Sequence, residues 1–199
     1  MLSTILYYPD YEKATCKTHK YSNCMKHGND LCYAGGYLYI APCDKYVEKV
    51  SVKTWKHQKI TSNVRISGIA HYMDNQFIVL RGQDAKKGTY KLSIVKEENG
   101  KFTAIKNWEV AKPKDYANYT TSQGITFYKK NSRIYVIFSR EDLKSNIILR
   151  SAIDKTEPDY CFTSKTGKTK YEFEGISINS EGKKIISANI DDGDLLFIS

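Results

Sequence analysis

A short pattern recurs four times along the chain and limits the available folds more than any other feature. Asn29-Asp30-Leu31-Cys32-Tyr33 precedes Tyr37-Leu38-Tyr39-Ile40, and Ser67-Gly68-Ile69-Ala70-His71 precedes Gln76-Phe77-Ile78-Val79. Gln123-Gly124-Ile125-Thr126-Phe127 then precedes Ile134-Tyr135-Val136-Ile137, and Glu174-Gly175-Ile176-Ser177-Ile178 precedes Lys184-Ile185-Ile186-Ser187. Each unit opens on a polar residue, a small or turn residue and an aliphatic one, then runs strand, polar turn, strand. The turns Ala34-Gly35-Gly36, Met73-Asp74-Asn75, Lys129-Lys130-Asn131-Ser132 and Asn179-Ser180-Glu181-Gly182 carry residues that accept tight hairpin conformations.

The anchoring aliphatics Leu31, Ile69, Ile125 and Ile176 are 38, 56 and 51 residues apart, room for a four-stranded sheet in each unit. Further strands are expected at Val47 to Val52, Tyr90 to Lys96, Phe102 to Val110, Ile147 to Ile153 and Leu195 to Ile198. A single hairpin cannot bury its apolar face, so the units must stack on one another. The expected fold is all-β, a β-propeller or partial propeller with about four visible blade repeats of antiparallel sheet; a sandwich would give the recurring opening no purpose. One domain spans residues 1–199, with repeats near 25–65, 66–115, 116–170 and 171–199. Residues 1–24 supply one or more strands, and Ile5 to Tyr8 is a candidate to close the last blade.

Composition agrees. Sixteen Tyr and seven Phe against four Pro favour pleated, half-buried surface, and 41% apolar with 27% charged residues is a globular balance. Helical periodicity with caps is missing, which argues against a βαβ organisation. No apolar run approaches the roughly 18 residues of a spanning helix, and Met1 to Tyr8 lacks the pattern of a signal peptide. A soluble protein is expected, cytoplasmic or secreted with its signal removed. The net charge of +9 attracts anionic partners. Its lysines are scattered through loops, as at Lys53, Lys56 and Lys59, which weighs against sequence-specific nucleic-acid readout and for a solvated Lys-rich surface that keeps the protein soluble. The candidate partners are an anionic polymer or a protein. Five cysteines, an odd number, exclude a complete disulfide framework.

With these units as blades, the polar residue before each small-aliphatic pair begins an innermost strand, so Asn29, Ser67, Gln123 and Glu174 are expected to converge on a central channel. Asp30 stands where the other three repeats have Gly; it either turns inward or forms a local Asx turn. The stretch Glu174 to Ile178 with Ser180 to Ala188 resembles the blade signature of calcium-dependent lactonases. His27-Gly28-Asn29-Asp30-Leu31 with Tyr37 to Ala41 resembles blades of secreted, helveticin-like bacterial propellers. The lactonase resemblance implies Glu174 and Asn29 as oxygen ligands of Ca²⁺, with Gln123 orienting a substrate whose carbonyl the cation polarises. A hydrated polar channel stitched by hydrogen bonds is the competing expectation.

Other clusters bear on function. Cys16 and His19, followed by Cys24 and His27, form two Cys-x₂-His pairs of a type that suits Zn²⁺, or else are free thiols near histidines. Asn189, Asp191, Asp192 and Asp194 form an oxygen-rich loop without the distal Glu of an EF-hand and read as a polar turn. His71 reads as a packed or solvated side chain. Tyr7, Tyr8, Tyr11, Tyr116 and Tyr119 fall in loop-like sequence and are candidates to stack on sugars or bases. The chain has no nucleophile elbow, phosphate loop, dinucleotide fingerprint or His-Glu-x-x-His helix. Two functions remain: a noncatalytic propeller-type module recognising an anionic cell-surface glycopolymer or a protein, and a divalent-metal-dependent lactonase-like hydrolase working in the channel.

Overall fold

The structure, a computed structural model, describes residues 2–10, 15–22, 28–142, 144–165, 171–190 and 194–198, with side chains for 28–142, 144–164 and 172–188. Strands β1 (Leu2–Asp10) and β2 (Thr15–Ser22) pair antiparallel with each other. The first blade is β3 (Asp30–Ala34), β4 (Tyr37–Ala41), β5 (Asp44–Ser51) and β6 (His57–Ile66). The second is β7 (Gly68–Met73), β8 (Gln76–Asp84), β9 (Thr89–Glu98) and β10 (Lys101–Ala111). A third follows with β11 (Thr121–Tyr128), β12 (Arg133–Ser139), β13 (Ser145–Ala152) and β14 (Tyr160–Lys165). Among the described residues the fourth has three strands, β15 (Tyr171–Ile178), β16 (Lys184–Ile190) and β17 (Asp194–Ile198). Ile5 to Tyr8, expected beside the last blade, lies in β1 opposite β2.

Within each blade the strands run as an antiparallel meander from the axis outward. A short parallel pairing of Lys101 with Thr61 and Phe102 with Ser62 joins the outer strands of the first two blades into one eight-stranded sheet. The inner strands follow one another around the axis: β3 lies beside β7, β7 beside β11 and β11 beside β15. The molecule is therefore all-β and propeller-like, with the four repeats forming successive blades.

The contiguous apolar runs follow from this stacking. Side chains alternate across a strand, so a sheet with both faces covered needs apolar residues at every position. In β8, Phe77 and Val79 pack toward Tyr39 and Ala41 of the first blade, alongside Phe102 of β10. Ile78 and Leu80 pack the other way, toward Val136, Phe138 and Leu149 of the third blade. Strand β12 repeats the device: Ile134, Val136 and Phe138 face the second blade, while Tyr135 and Ile137 meet Phe173, Ile176 and Ile186 of the fourth.

Candidate functional site

The openings of the repeats meet at the axis. Ser67 lies between β6 and β7, and its N–H and hydroxyl both donate to the Leu80 carbonyl, at 2.7 and 3.0 Å. Gln123 and Glu174 sit where the β11–β12 and β15–β16 registers shift, so each is the extra residue of a bulge. A bulge leaves one residue outside the ladder and re-aims it. Gln123, buried, donates from its amide to the Glu172 carboxylate of the next blade. Half-buried Glu174 has its carboxyl raised above the usual range, first by burial and then by the nearby negative charge of Glu172.

Two consecutive residues of the first blade hold this arrangement together. The Asn29 side-chain N–H group donates to the carbonyls of Ser67, Ser122 and Gln123 at 2.7, 3.3 and 3.1 Å. The Asp30 carboxylate does the opposite: Oδ2 accepts from the Ile69 and Ile125 backbone N–H groups at 2.9 and 3.1 Å, and Oδ1 accepts from Leu31 at 2.9 Å. An inner strand has no ladder partner on its axial edge, and its N–H and C=O groups need partners all the same. Asn29 supplies a donor and Asp30 an acceptor. Asp30 turns inward, and its local bond runs to the N–H of the next residue, Leu31, rather than to the residue two positions on as in an Asx turn. Burial outweighs its three N–H donors and pushes the carboxyl up to about 8.

These bonds decide how well the residues suit the cation implied by the lactonase resemblance. The Asn29 terminal group that faces the carbonyls is its N–H end, both Asp30 oxygens already accept N–H donors, and Glu172 is held by Gln123. Glu174 is left as the one uncommitted carboxylate of this set. Ca²⁺ takes six to eight oxygens, and among the described residues no group of three or more His, Cys, Asp or Glu side chains is arranged around a common point. The donor set does not fit Ca²⁺. Of the zinc set, Cys16 and His19 fall in β2 with side chains outside the described ones, and Cys24 and His27 lie outside the described residues altogether. Asp191 and Asp192 also lie outside them, between β16, which includes Asn189, and β17, which begins at Asp194.

Two cavities open from the axial region. Between β3 and β15 lies a cleft of about 360 Å³ walled by Asn29, Asp30, Glu174, Ser177 and Ser187. At the far ends of the inner strands, a wider mouth of about 870 Å³ takes its walls from all four blades. Tyr33 and Leu31 are 61% and 58% exposed there, and Met73 is 39% exposed. Tyr72, the extra residue of a β7 bulge, stacks edge-on against Phe127 at 5.1 Å. Lys129 stands exposed at the rim. Cys32 lines the wall with its thiol raised by burial, and the His71 Nε2 lies 3.0 Å from the Asp74 carbonyl.

The aromatic expectation needs correction. Tyr119 is a core residue, 4% exposed, and Tyr116 packs on that core with its ring 5.6 Å from Tyr119. Neither is a free stacking platform. Tyr7 and Tyr8 belong to strand β1 rather than a loop, and Tyr11 lies outside the described residues. The exposed aromatic at the mouth is Tyr33, inside the first repeat; Tyr37, Tyr160 and Phe162 are exposed elsewhere. Its signal was the alternation of β3, in which Leu31 and Tyr33 share the face opposite Cys32 and Ala34.

No family model matches the chain, and no curated protein does. Its fold is similar to that of solved structures at TM-scores of 0.50 and above. A luciferin-regenerating enzyme is 10% identical with a TM-score of 0.51, over 87% of this chain and 72% of that one. An oxidoreductase described as a glucose dehydrogenase, from Thermus thermophilus, is 10% identical with a TM-score of 0.50, over 82% and 57%. Hydrazine synthase of Kuenenia stuttgartiensis is 17% identical with a TM-score of 0.49, over 87% and 50%. The chain thus spans half the length of the last and little more than half of the one before it. At these identities the likeness concerns the fold, which hosts unrelated activities.

Proposed function

We propose that the protein is a noncatalytic propeller-type binding module whose recognition surface is the wide mouth, and that its ligand is an anionic glycopolymer. The observation that carries this reading is the composition of that mouth: exposed Tyr33 and Leu31 beside Met73 and the Tyr72–Phe127 pair, with the Lys129 cation at the rim. An aromatic face gives a sugar ring a stacking platform, and a cation beside it meets the acidic substituent. The net charge of +9 adds long-range attraction. The axis itself is taken up by structural hydrogen bonds from Asn29 and Asp30, which leaves recognition to the mouth.

Titration with a fluorescein-labelled heparin oligosaccharide, against neutral dextran, tests the reading. Tyr33→Ala and Lys129→Glu are each expected to weaken heparin binding about fivefold, on the order of 1 kcal/mol, and added salt to weaken it further. Tyr33→Ala keeps the net charge, so it separates mouth recognition from general attraction to a basic surface. Unchanged affinity in both variants would remove the proposal.

A further inference from the structure

The fourfold pattern has one departure, Asp30 in place of Gly, and the three remaining glycines crowd the same axis. A Cβ on Gly68 would lie 3.1 Å from Asp30 Oδ2, besides 3.0 Å from Ile125 Cγ2 and 3.3 Å from Leu80 Cβ. One on Gly124 would lie 3.5 Å from Asp30 Oδ1, and also 3.2 Å from the Gly175 Cα. The side chain missing from two repeats is the space that the first repeat fills.

The donors are equally regular. Leu31, Ile69 and Ile125 are the aliphatic anchors of three successive repeats, and the N–H of each points at one carboxyl group, at 2.9, 2.9 and 3.1 Å. Equivalent positions in equivalent strands around an axis generate a ring of donors. A planar group with two oxygens, one accepting two bonds and the other one, matches them.

We infer that the axis of the ring is a binding cradle for a single carboxyl group, built from the backbone N–H groups of Leu31, Ile69 and Ile125, and that the Asp30 side chain is its resident occupant. The chemical class it selects is a small carboxylic acid or carboxylate. A spherical anion cannot divide its contacts between two oxygens in this way. The occupant joins blades 39 and 95 residues away in sequence, so the cradle and its ligand lock three blades in register.

Emptying the cradle and refilling it from solution is the test. Asp30→Gly restores the residue of the other repeats and leaves space for acetate, whose methyl takes the place of Cβ; Asp30→Ala leaves space for formate. Each variant is expected to melt roughly 5 °C or more below the wild type. Sodium acetate should then raise the Tm of Asp30→Gly saturably, and sodium formate that of Asp30→Ala. Sodium chloride at the same ionic strength should not, and none of the three should act specifically on the wild type. Equal responses to all three salts, or variants as stable as the wild type, would overturn the cradle. Should neither variant fold, NMR on the wild type decides: the amide protons of Ile69 and Ile125 must shift with the titrating Asp30 carboxyl carbon, and amides that stay still while it titrates overturn the inference equally.

Discussion

Two ionisable side chains, partly buried Asp30 and buried Lys112, set opposite pH dependences. Asp30 is raised from 3.8 to about 8 by burial, with the Cys32 and Cys43 thiols nearby and Glu174 on the same cleft. An acid with a raised pKa holds its proton longer when folded than when unfolded, so its contribution to stability is full below about pH 4 and is lost as pH rises to 8. Lys112 is 7% exposed, lies 4.3 Å over the Phe138 ring and donates to the Gln83 side-chain oxygen and the Tyr119 carbonyl. Burial lowers it from 10.5 to about 8. A base with a lowered pKa penalises folding while it must stay charged, and that penalty is relieved as pH rises above 8. The expected profile of Tm against pH falls between about 4 and 8 and recovers toward 10, where Tyr39 and Tyr90, both raised by burial, begin to oppose it. Asp30→Asn should flatten the acid limb alone, and Lys112→Met the alkaline limb alone. A wild-type profile rising from pH 4 to 8 would contradict the Asp30 assignment.

Strand β8 contributes side chains to the packing on both neighbouring blades, and Phe77 is its largest side chain. It is 1% exposed, with ring centroids 4.5 Å from Tyr39 and 5.2 Å from Phe102. Phe77→Ala should cost about 3–5 kcal/mol, read as a lower urea midpoint at constant slope. Phe162→Ala on the outer strand β14, where the ring is 44% exposed, should stay within about 0.5 kcal/mol. A cost for Phe162 matching that of Phe77 would mean that the inner and outer strands are wrongly ordered. The same contrast explains what the sequence made legible. Phe77-Ile78-Val79-Leu80 and Ile134 to Phe138 announce themselves because both faces of their strands are covered. β6, His57–Ile66, is exposed at most positions and carries polar residues through much of its length, and β14 has the same character, so neither showed a strand pattern. The opening residues could be placed at the axis from the repeat alone. Their roles could not: Asn29 reads as a ligand until its N–H group is seen against three carbonyls, and Asp30 finds its partners 39 and 95 residues away.

At the scale of the molecule, stability and recognition fall in different places. The second and third blades have both faces packed, and the cluster between them includes Leu80, Tyr90, Trp108, Phe138 and Leu149. The first blade shows Leu31 and Tyr33 to solvent at the mouth. Free energies of local opening follow burial, and surfaces that adapt to ligands are drawn from the less stable end. Native-state hydrogen exchange should therefore find the amides of Ile78, Val79, Val136 and Ile137 near the global unfolding limit, with Cys32 and Tyr33 opening more readily. A ligand at the mouth stabilises the closed form of the segments it touches. Addition of the heparin oligosaccharide should slow exchange in β3 and around Tyr72, and leave local opening in β13 unchanged. Protection spread evenly over all four blades would show that the polymer coats the basic surface, and the mouth would then have no special claim to it.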